Sequence, residues 1–273
     1  LYAEKWDVAA QAARDCATAE GNLDLSKNGY AKIFELGINS PEVLFAVEFK
    51  SSVIDHAYDA YVRPSGDTKE LGKQVYSGFV PTSELVDSYE MAGDGGNFSW
   101  EKHGKDPYAN REPRFYATIL YNGADWMGRK IESFVGGKDG YKAYENAGAA
   151  GTTVTGYYLR KYLIDGDKTW VTSGSGQDWI VLRYAEVLLN KAEALAMENW
   201  NKNSAEALQA LNDVRARVGL PARATADKET FLEYVRHERK VELAGEGFRY
   251  WDLRRWRLAE KVIDGQNVHG VKT

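Results

Sequence analysis

Residues Arg183 to Trp256 limit the architecture of this chain more than any other stretch. The segment opens with RYAEVLLNKAEALAMENW, where Tyr184, Val187, Leu188, Ala192 and Leu195 recur at helical spacing and form one apolar stripe. After a short polar break, Asn203 stands three residues before Glu206, the spacing at which a side chain caps free backbone N–H groups and a carboxylate reaches back. A second helix is expected there, with Ala207, Leu208, Leu211, either Val214 or Arg215, and Val218 on its inner face. It should stop at Gly219-Leu220-Pro221, where glycine takes a left-handed cap and proline cannot continue the ladder. The two helices should form an antiparallel hairpin. Asp227 should cap a third helix reaching about Ala244, with Phe231, Leu232, Val235, Val241 and Leu243 in the core.

Charges are interleaved with these apolar positions. Glu238, Arg239 and Glu242 lie on the third helix, and FRYWDLRRW then sets Phe248, Tyr250, Trp251 and Trp256 among Arg249, Asp252, Arg254 and Arg255. Arginine forks pair with carboxylates and stack on rings. Two readings follow: a structural knot of ion pairs and rings closing a helical domain, favoured because such networks are common, and a pocket for an anionic ligand.

The strings RYAEVLLNKAEAL, ALNDVRARVGLP and ERKVELAGEGFRYWDLRRW resemble the C-terminal signature of the SusD-like (SusD/RagB) family, nutrient-binding lipoproteins of bacterial outer membranes. SPEVLFAVEFK, PTSELVDSYEM, DPYANREPRFYATILYNG and TGYYLRKYL resemble family segments in the same order, so the likeness spans nearly the whole chain. It implies a mainly α fold in which helix pairs resembling tetratricopeptide repeats carry a loop-rich, aromatic ligand-binding region. It also implies an oligosaccharide ligand, a SusC-like TonB-dependent outer-membrane transporter as partner, and a place on the bacterial cell surface. Family members attach to the membrane through a lipidated cysteine and carry a longer helical N-terminal half and a further C-terminal segment. This chain is therefore read as an internal or C-terminal portion of one SusD-like domain, its lipid anchor lying elsewhere. Residues 1–50 are expected to form a helical hairpin plus a strand, 51–178 the loop-rich binding region and 179–273 the helical signature region.

A net charge of −5 gives no support for binding nucleic acid or an anionic membrane surface by electrostatics. Cys16 stands alone, so an internal disulfide is excluded; in a helical pattern it reads as a buried small residue and not as an anchor. No apolar run is long enough to cross a bilayer as a helix. At the N-terminal end Tyr2, Trp6, Ala9, Ala13 and Ala17 mark a helical stripe ending near Gly21-Asn22, Ser26 to Leu36 a second short helix, and Leu44 to Phe49 a strand.

The middle of the chain has a different texture, in GDGGNFSW, NGADWMG and GGKDGYKAYENAGAAG. Long irregular loops in compact domains usually carry function or are disordered, so a ligand is sought here. With 8 tryptophans, 17 tyrosines and 9 phenylalanines, the rings of this region exceed what helical core stripes hold. Sugars pack flat C–H faces on rings and need amide, carboxylate or guanidinium partners for their hydroxyls. The candidates are Trp100, Tyr108, Tyr121 and Trp126, with Asn97, Asn122 and Asp125 as polar partners. Any one ring taken alone is more often a loop anchor; the expectation is that part of the group faces ligand. Arg111 and Arg114 match a family motif and read as structural.

No catalytic residue, cofactor or metal site is expected. His56, His103, His237 and His269 fall in no metal-ligand spacing, and the chain lacks H-E-x-x-H, a nucleophile elbow and a phosphate loop. The DGDKT run at Asp165 starts like a calcium loop, but Gly176 stands where the closing glutamate belongs, so a polar turn is expected, with a weak cation site as the alternative. The alternatives to glycan capture are a peptide-binding member of the same family, a protein-binding scaffold and a glycoside hydrolase.

Overall fold

The computed structural model describes residues 1–19, 22–25, 29–93, 95–141 and 152–272. Helices α1 (Trp6–Ala19) and α2 (Gly29–Leu36) lead to strand β1 (Val43–Val47). A long stretch of short elements follows: α3 (Tyr58–Val62), α4 (Asp67–Leu71), α5 (Ser83–Val86), α6 (Trp100–His103) and α7 (Pro113–Thr118). It continues with two-residue strands β2 (Ile119–Leu120), β3 (Asp125–Trp126), β4 (Arg129–Lys130) and β5 (Tyr158–Leu159), then α8 (Trp170–Ser173). Strand β6 (Trp179–Arg183) feeds α9 (Tyr184–Arg217), α10 (Lys228–Glu242), α11 (Phe248–Arg255) and α12 (Ala259–Ile263). The fold is mainly α. Its strands form antiparallel pairs β1–β6, β2–β5 and β3–β4.

Although its hydrogen bonding runs from Tyr184 to Arg217, α9 is folded back on itself. Lys191 Nζ lies 2.9 Å from the Glu206 carboxylate, and Asn203 Nδ2 donates to the Leu195 carbonyl at 3.3 Å. Fifteen residues of straight helix would separate Lys191 from Glu206 by about 22 Å. The reversal occurs at Asn199, the one residue with non-helical angles (φ −163°, ψ 93°). The expected hairpin is present, but its cap is not Asn203. Asn199 Oδ1 accepts the Lys202 N–H at 3.2 Å, while the buried Asn203 side chain bridges back to the preceding arm. Because the chain turns on a single residue, the second arm begins earlier than its polar break suggests, and Glu206 is free to meet Arg14 at 2.6 Å.

α1 packs along α9, and α10 closes the other side. Leu188, Leu195, Leu211, Val214, Phe231 and Val235 form the centre of this core. Each such side chain removed from water contributes roughly 1.5–3 kcal/mol. Asp227 caps α10 as expected, its Oδ2 accepting the Thr230 N–H at 2.7 Å. At the N-terminal end Ala10 and Ala13 face the core; Tyr2 precedes the helix and is exposed, and Cys16 is half-buried rather than buried.

A buried ionic network ties this helical end to the loops. Arg183, 1% exposed, donates to Glu246 at 2.7 Å, to Glu42 at 2.8 Å and to Glu242 at 2.7 Å. Arg114 joins Glu112, Glu238 and Glu242; Arg217 joins Glu42 and Glu242; Arg215 joins Glu90 at 2.9 Å and Glu238 at 3.0 Å. Burial alone would push the Glu242 carboxyl up, but the guanidiniums of Arg217, Arg183 and Arg114 hold it well below the usual range. In the FRYWDLRRW segment, Arg239 and Arg255 grip Asp252, and Trp256 Nε1 donates to Glu193 at 2.8 Å. The structural-knot reading describes these contacts. Tyr250 and Trp251 are the exceptions, since Asp252 and Leu253 form the buried side of α11 and leave both rings 54% exposed.

Candidate ligand-binding surface

The loop preceding α6 is pinned by Arg111. Its Nη atoms donate to the carbonyls of Tyr89 at 2.9 Å and Pro107 at 3.0 Å, and its guanidinium lies 4.1 Å from the Phe98 ring centroid and 4.7 Å from that of Phe115. Arg111 is 2% exposed and all of this is internal, so it builds the surface without touching a ligand.

Rings continue outward from this pin. Phe98 packs edge-on against Trp100 at 5.4 Å, and Phe115 stacks on Tyr121 at 5.3 Å. Tyr121 stacks in turn on Tyr108, with centroids 4.2 Å apart and planes 27° apart. Offset stacking of this kind holds both rings without covering them fully, and both remain half-buried. The Tyr116 hydroxyl fixes the loop by donating to the Tyr108 carbonyl at 2.7 Å. Burial, then Tyr116 and the carboxylates of Asp125 and Asp106, push the Tyr121 phenol up; burial does the same to Tyr108. Both hydroxyls therefore stay protonated, that of Tyr108 beside the Tyr157 hydroxyl.

Trp100 opens α6 and lines a cleft of about 570 Å³ with Ser83, Glu84, Asp87 and the segment from His269 to Lys272. Its indole N–H donates to Asp87 at 2.8 Å. Burial raises the Asp87 carboxyl above its ordinary range. Glu84 is engaged by His269, whose Nδ1 lies 2.5 Å from Oε1. Asn97 is exposed on the Phe98 loop. Asn122 is exposed beside Tyr121, its Oδ1 accepting the Ser133 N–H at 3.2 Å, and exposed Asp125 pairs with Lys130 at 2.7 Å.

Trp126 departs from expectation. It is 0% exposed, and its indole N–H donates to Asp67 at 3.0 Å beneath the Arg63 guanidinium. Alternation along β3 sends Asp125 to solvent and Trp126 inward, so Trp126 anchors the hairpin and offers ligand no face. The structure thus stacks Tyr108 and Tyr121 with Phe115, joins Trp100 to them through Phe98 and the Arg111 guanidinium, sets Asn122 and Asp125 next to Tyr121, and removes Trp126. It adds Phe98 and Tyr116, and shows a second ring pair, Tyr61 on Tyr76 at 5.2 Å, each 47% exposed. No spacing in the sequence pairs Tyr61 with Tyr76; only the turn between them does.

Among the described residues, no group of three or more His, Cys, Asp or Glu side chains is arranged to hold a metal ion, and no helix is long and apolar enough to cross a membrane. Asp165 and Asp167 accept the backbone N–H groups of Met127 and Thr169, both at 2.9 and 2.8 Å respectively, which makes DGDKT a polar turn.

Fold and surface together define a class: a mainly α scaffold of paired helices carrying an aromatic-rich surface on its loops. The chain belongs to the SusD family, whose model matches residues 41–273. A SusD-like protein of Formosa agariphila is 32% identical over 133 residues, covering 45% of this chain and 25% of that protein. Among solved structures, a SusD-like protein of Bacteroides fragilis is 26% identical and superposes with a TM-score of 0.83, over 99% of this chain and 54% of that one. A SusD-like carbohydrate binding protein of the same organism is 26% identical with a TM-score of 0.82, over 98% of this chain and 52% of that one. The chain therefore spans about half the length of these solved relatives.

Proposed function

We propose that this chain captures oligosaccharide at a bacterial cell surface and delivers it, chemically unchanged, to a SusC-like TonB-dependent transporter. The observation that carries the ligand class is the half-exposed Tyr108–Tyr121 stack with Asn122 and Asp125 at its rim. Rings supply the flat apolar face a pyranose needs, and the polar rim supplies partners for its hydroxyls. The similarity to a carbohydrate binding SusD-like protein supports the same reading, and the transporter and surface location rest on family membership. The two carboxylates of the Trp100 cleft are already engaged, Asp87 by an indole N–H and Glu84 by His269, which favours capture over hydrolysis.

An affinity-gel and glycan-array screen of the chain with Tyr108→Ala, Tyr121→Ala and Trp100→Ala tests this. Binding without release of reducing ends, weakened about tenfold or more by loss of a stacking ring, is the expected result. Retention of no glycan class would overturn the proposal, and reducing-end release abolished by Asp87→Asn would replace it with a hydrolase.

A further inference from the structure

A cavity of about 440 Å³ is lined by Tyr30, Phe34, Tyr162 and by Tyr116, whose ring centroid lies 6.3 Å from that of Tyr121. Its charged lining comes from Lys32 and Glu35 on α2 and from Arg160 and Lys161. These charges are not equivalent. Lys161 is fully buried and spent, its Nζ donating to Glu246 at 2.8 Å and to the Glu242 carbonyl at 3.1 Å. Arg160 is half-buried, yet among the described residues its guanidinium makes no hydrogen bond and no ion pair. It lies 6.0 Å from the centroid of the buried Trp126 ring. Lys32 and Glu35 are exposed, one of each sign, so among the described residues the unmatched charge in the lining is Arg160.

A half-buried arginine normally finds a carboxylate, because partial desolvation without an acceptor is unfavourable. Here no acceptor is found among the described residues, and Arg160 lines a cavity. The backbone beside it is also strained: Tyr162 is held at φ +67°, a conformation that side chains other than glycine rarely adopt and that concentrates at ligand clamps.

We propose that this cavity receives an acidic sugar of the captured glycan, the Arg160 guanidinium binding its carboxylate or sulfate while the half-buried Tyr116 ring packs on the pyranose. This rests on the glycan-capture reading above and narrows it to glycans bearing anionic residues. Tyr116 contributes to both places: its hydroxyl fixes the Tyr108 loop, and its ring walls the cavity. One chain of sugars could therefore cross from the stack to Arg160.

The test compares two matched pairs of oligosaccharides on the full chain by calorimetry: a hexuronate oligomer with its carboxyl-reduced form, and a sulfated oligomer with its desulfated form. The expected result is that one acidic form binds about tenfold or more tighter than its neutral partner, the size of one charge-assisted bidentate contact. Arg160→Gln should abolish that preference while leaving the neutral form's affinity unchanged, and Arg160→Lys should keep part of it. The preference should shrink with added salt. Circular dichroism establishes that both variants are folded. Equal affinity within both pairs, or an Arg160→Gln effect equal on acidic and neutral forms, overturns the acidic-sugar site while leaving glycan capture standing. Failure of all four ligands to bind overturns the acidic-sugar site, and the glycan-array screen above decides separately whether the capture reading falls with it.

Discussion

Replacing Arg183 with methionine tests whether the buried ionic network holds the helical end to the loops. Arg183 donates to three carboxylates and to the Glu242 carbonyl from a site 1% exposed. Its loss leaves Glu42 with Arg217, and Glu242 with Arg114 and Arg217. Glu246 keeps Lys161 as its remaining cation, a fully buried ammonium whose own pKa burial has brought down to about 8. Removing one member of a buried ion network costs about 3–5 kcal/mol, and the apolar methionine recovers part of it by not needing desolvation. The expected deficit at pH 7 is therefore about 3 kcal/mol, read from urea unfolding followed by tryptophan fluorescence. Its pH dependence identifies the cause. In the native protein Glu246 is held below the ordinary carboxylate range, against burial, by Arg183 and then Lys161, so its contribution is present above that range and lost as pH falls through the folded value. In the variant, burial pushes Glu246 upward and the folded state takes up a proton. The variant's deficit should then be smallest near pH 5 and grow toward neutrality. A deficit below about 1 kcal/mol, or one equal at pH 5 and pH 7, would refute the view that uncompensated buried carboxylates set the cost.

Two further outcomes follow from local geometry. Asn199→Ala removes the side chain that accepts the Lys202 N–H at the reversal of α9 and should lower stability by about 1 kcal/mol in the same urea assay; no change would mean that the turn is held by packing alone. Trp126→Phe strips Asp67 of an indole donor in a site 0% exposed and should cost roughly 1–3 kcal/mol while leaving glycan retention on an affinity gel unaltered; weakened retention would place Trp126 at the ligand after all.

The helices were legible because their signal is periodic and local. The stripe of Val187, Leu188, Ala192 and Leu195 and the Asp227 cap each lie within a few turns of the backbone they organise. The reversal of α9 was legible as an event but not as a position. Asn199 and Asn203 are chemically identical, and what separates them is that one turns the chain while the other reaches back to Leu195 across the fold. The candidate site divides along the same line. Phe115 sits between Tyr108 and Tyr121 in sequence and meets both rings, so the turn at α7 brings the pair together almost locally. Trp126 lies only a few residues further along, yet a strand of two residues is too short for its alternation to be read from the sequence, and its inward orientation is fixed by Asp67 on a distant helix. Arg160 illustrates the remaining gap. It shares a motif with Lys161, and the sequence gives the two side by side with equal charge. Only the fold supplies Lys161 with Glu246 and sets Arg160 in the lining of a cavity with no ion pair among the described residues, so the proposed distinction between a structural and a binding cation depends on partners that sequence order does not show.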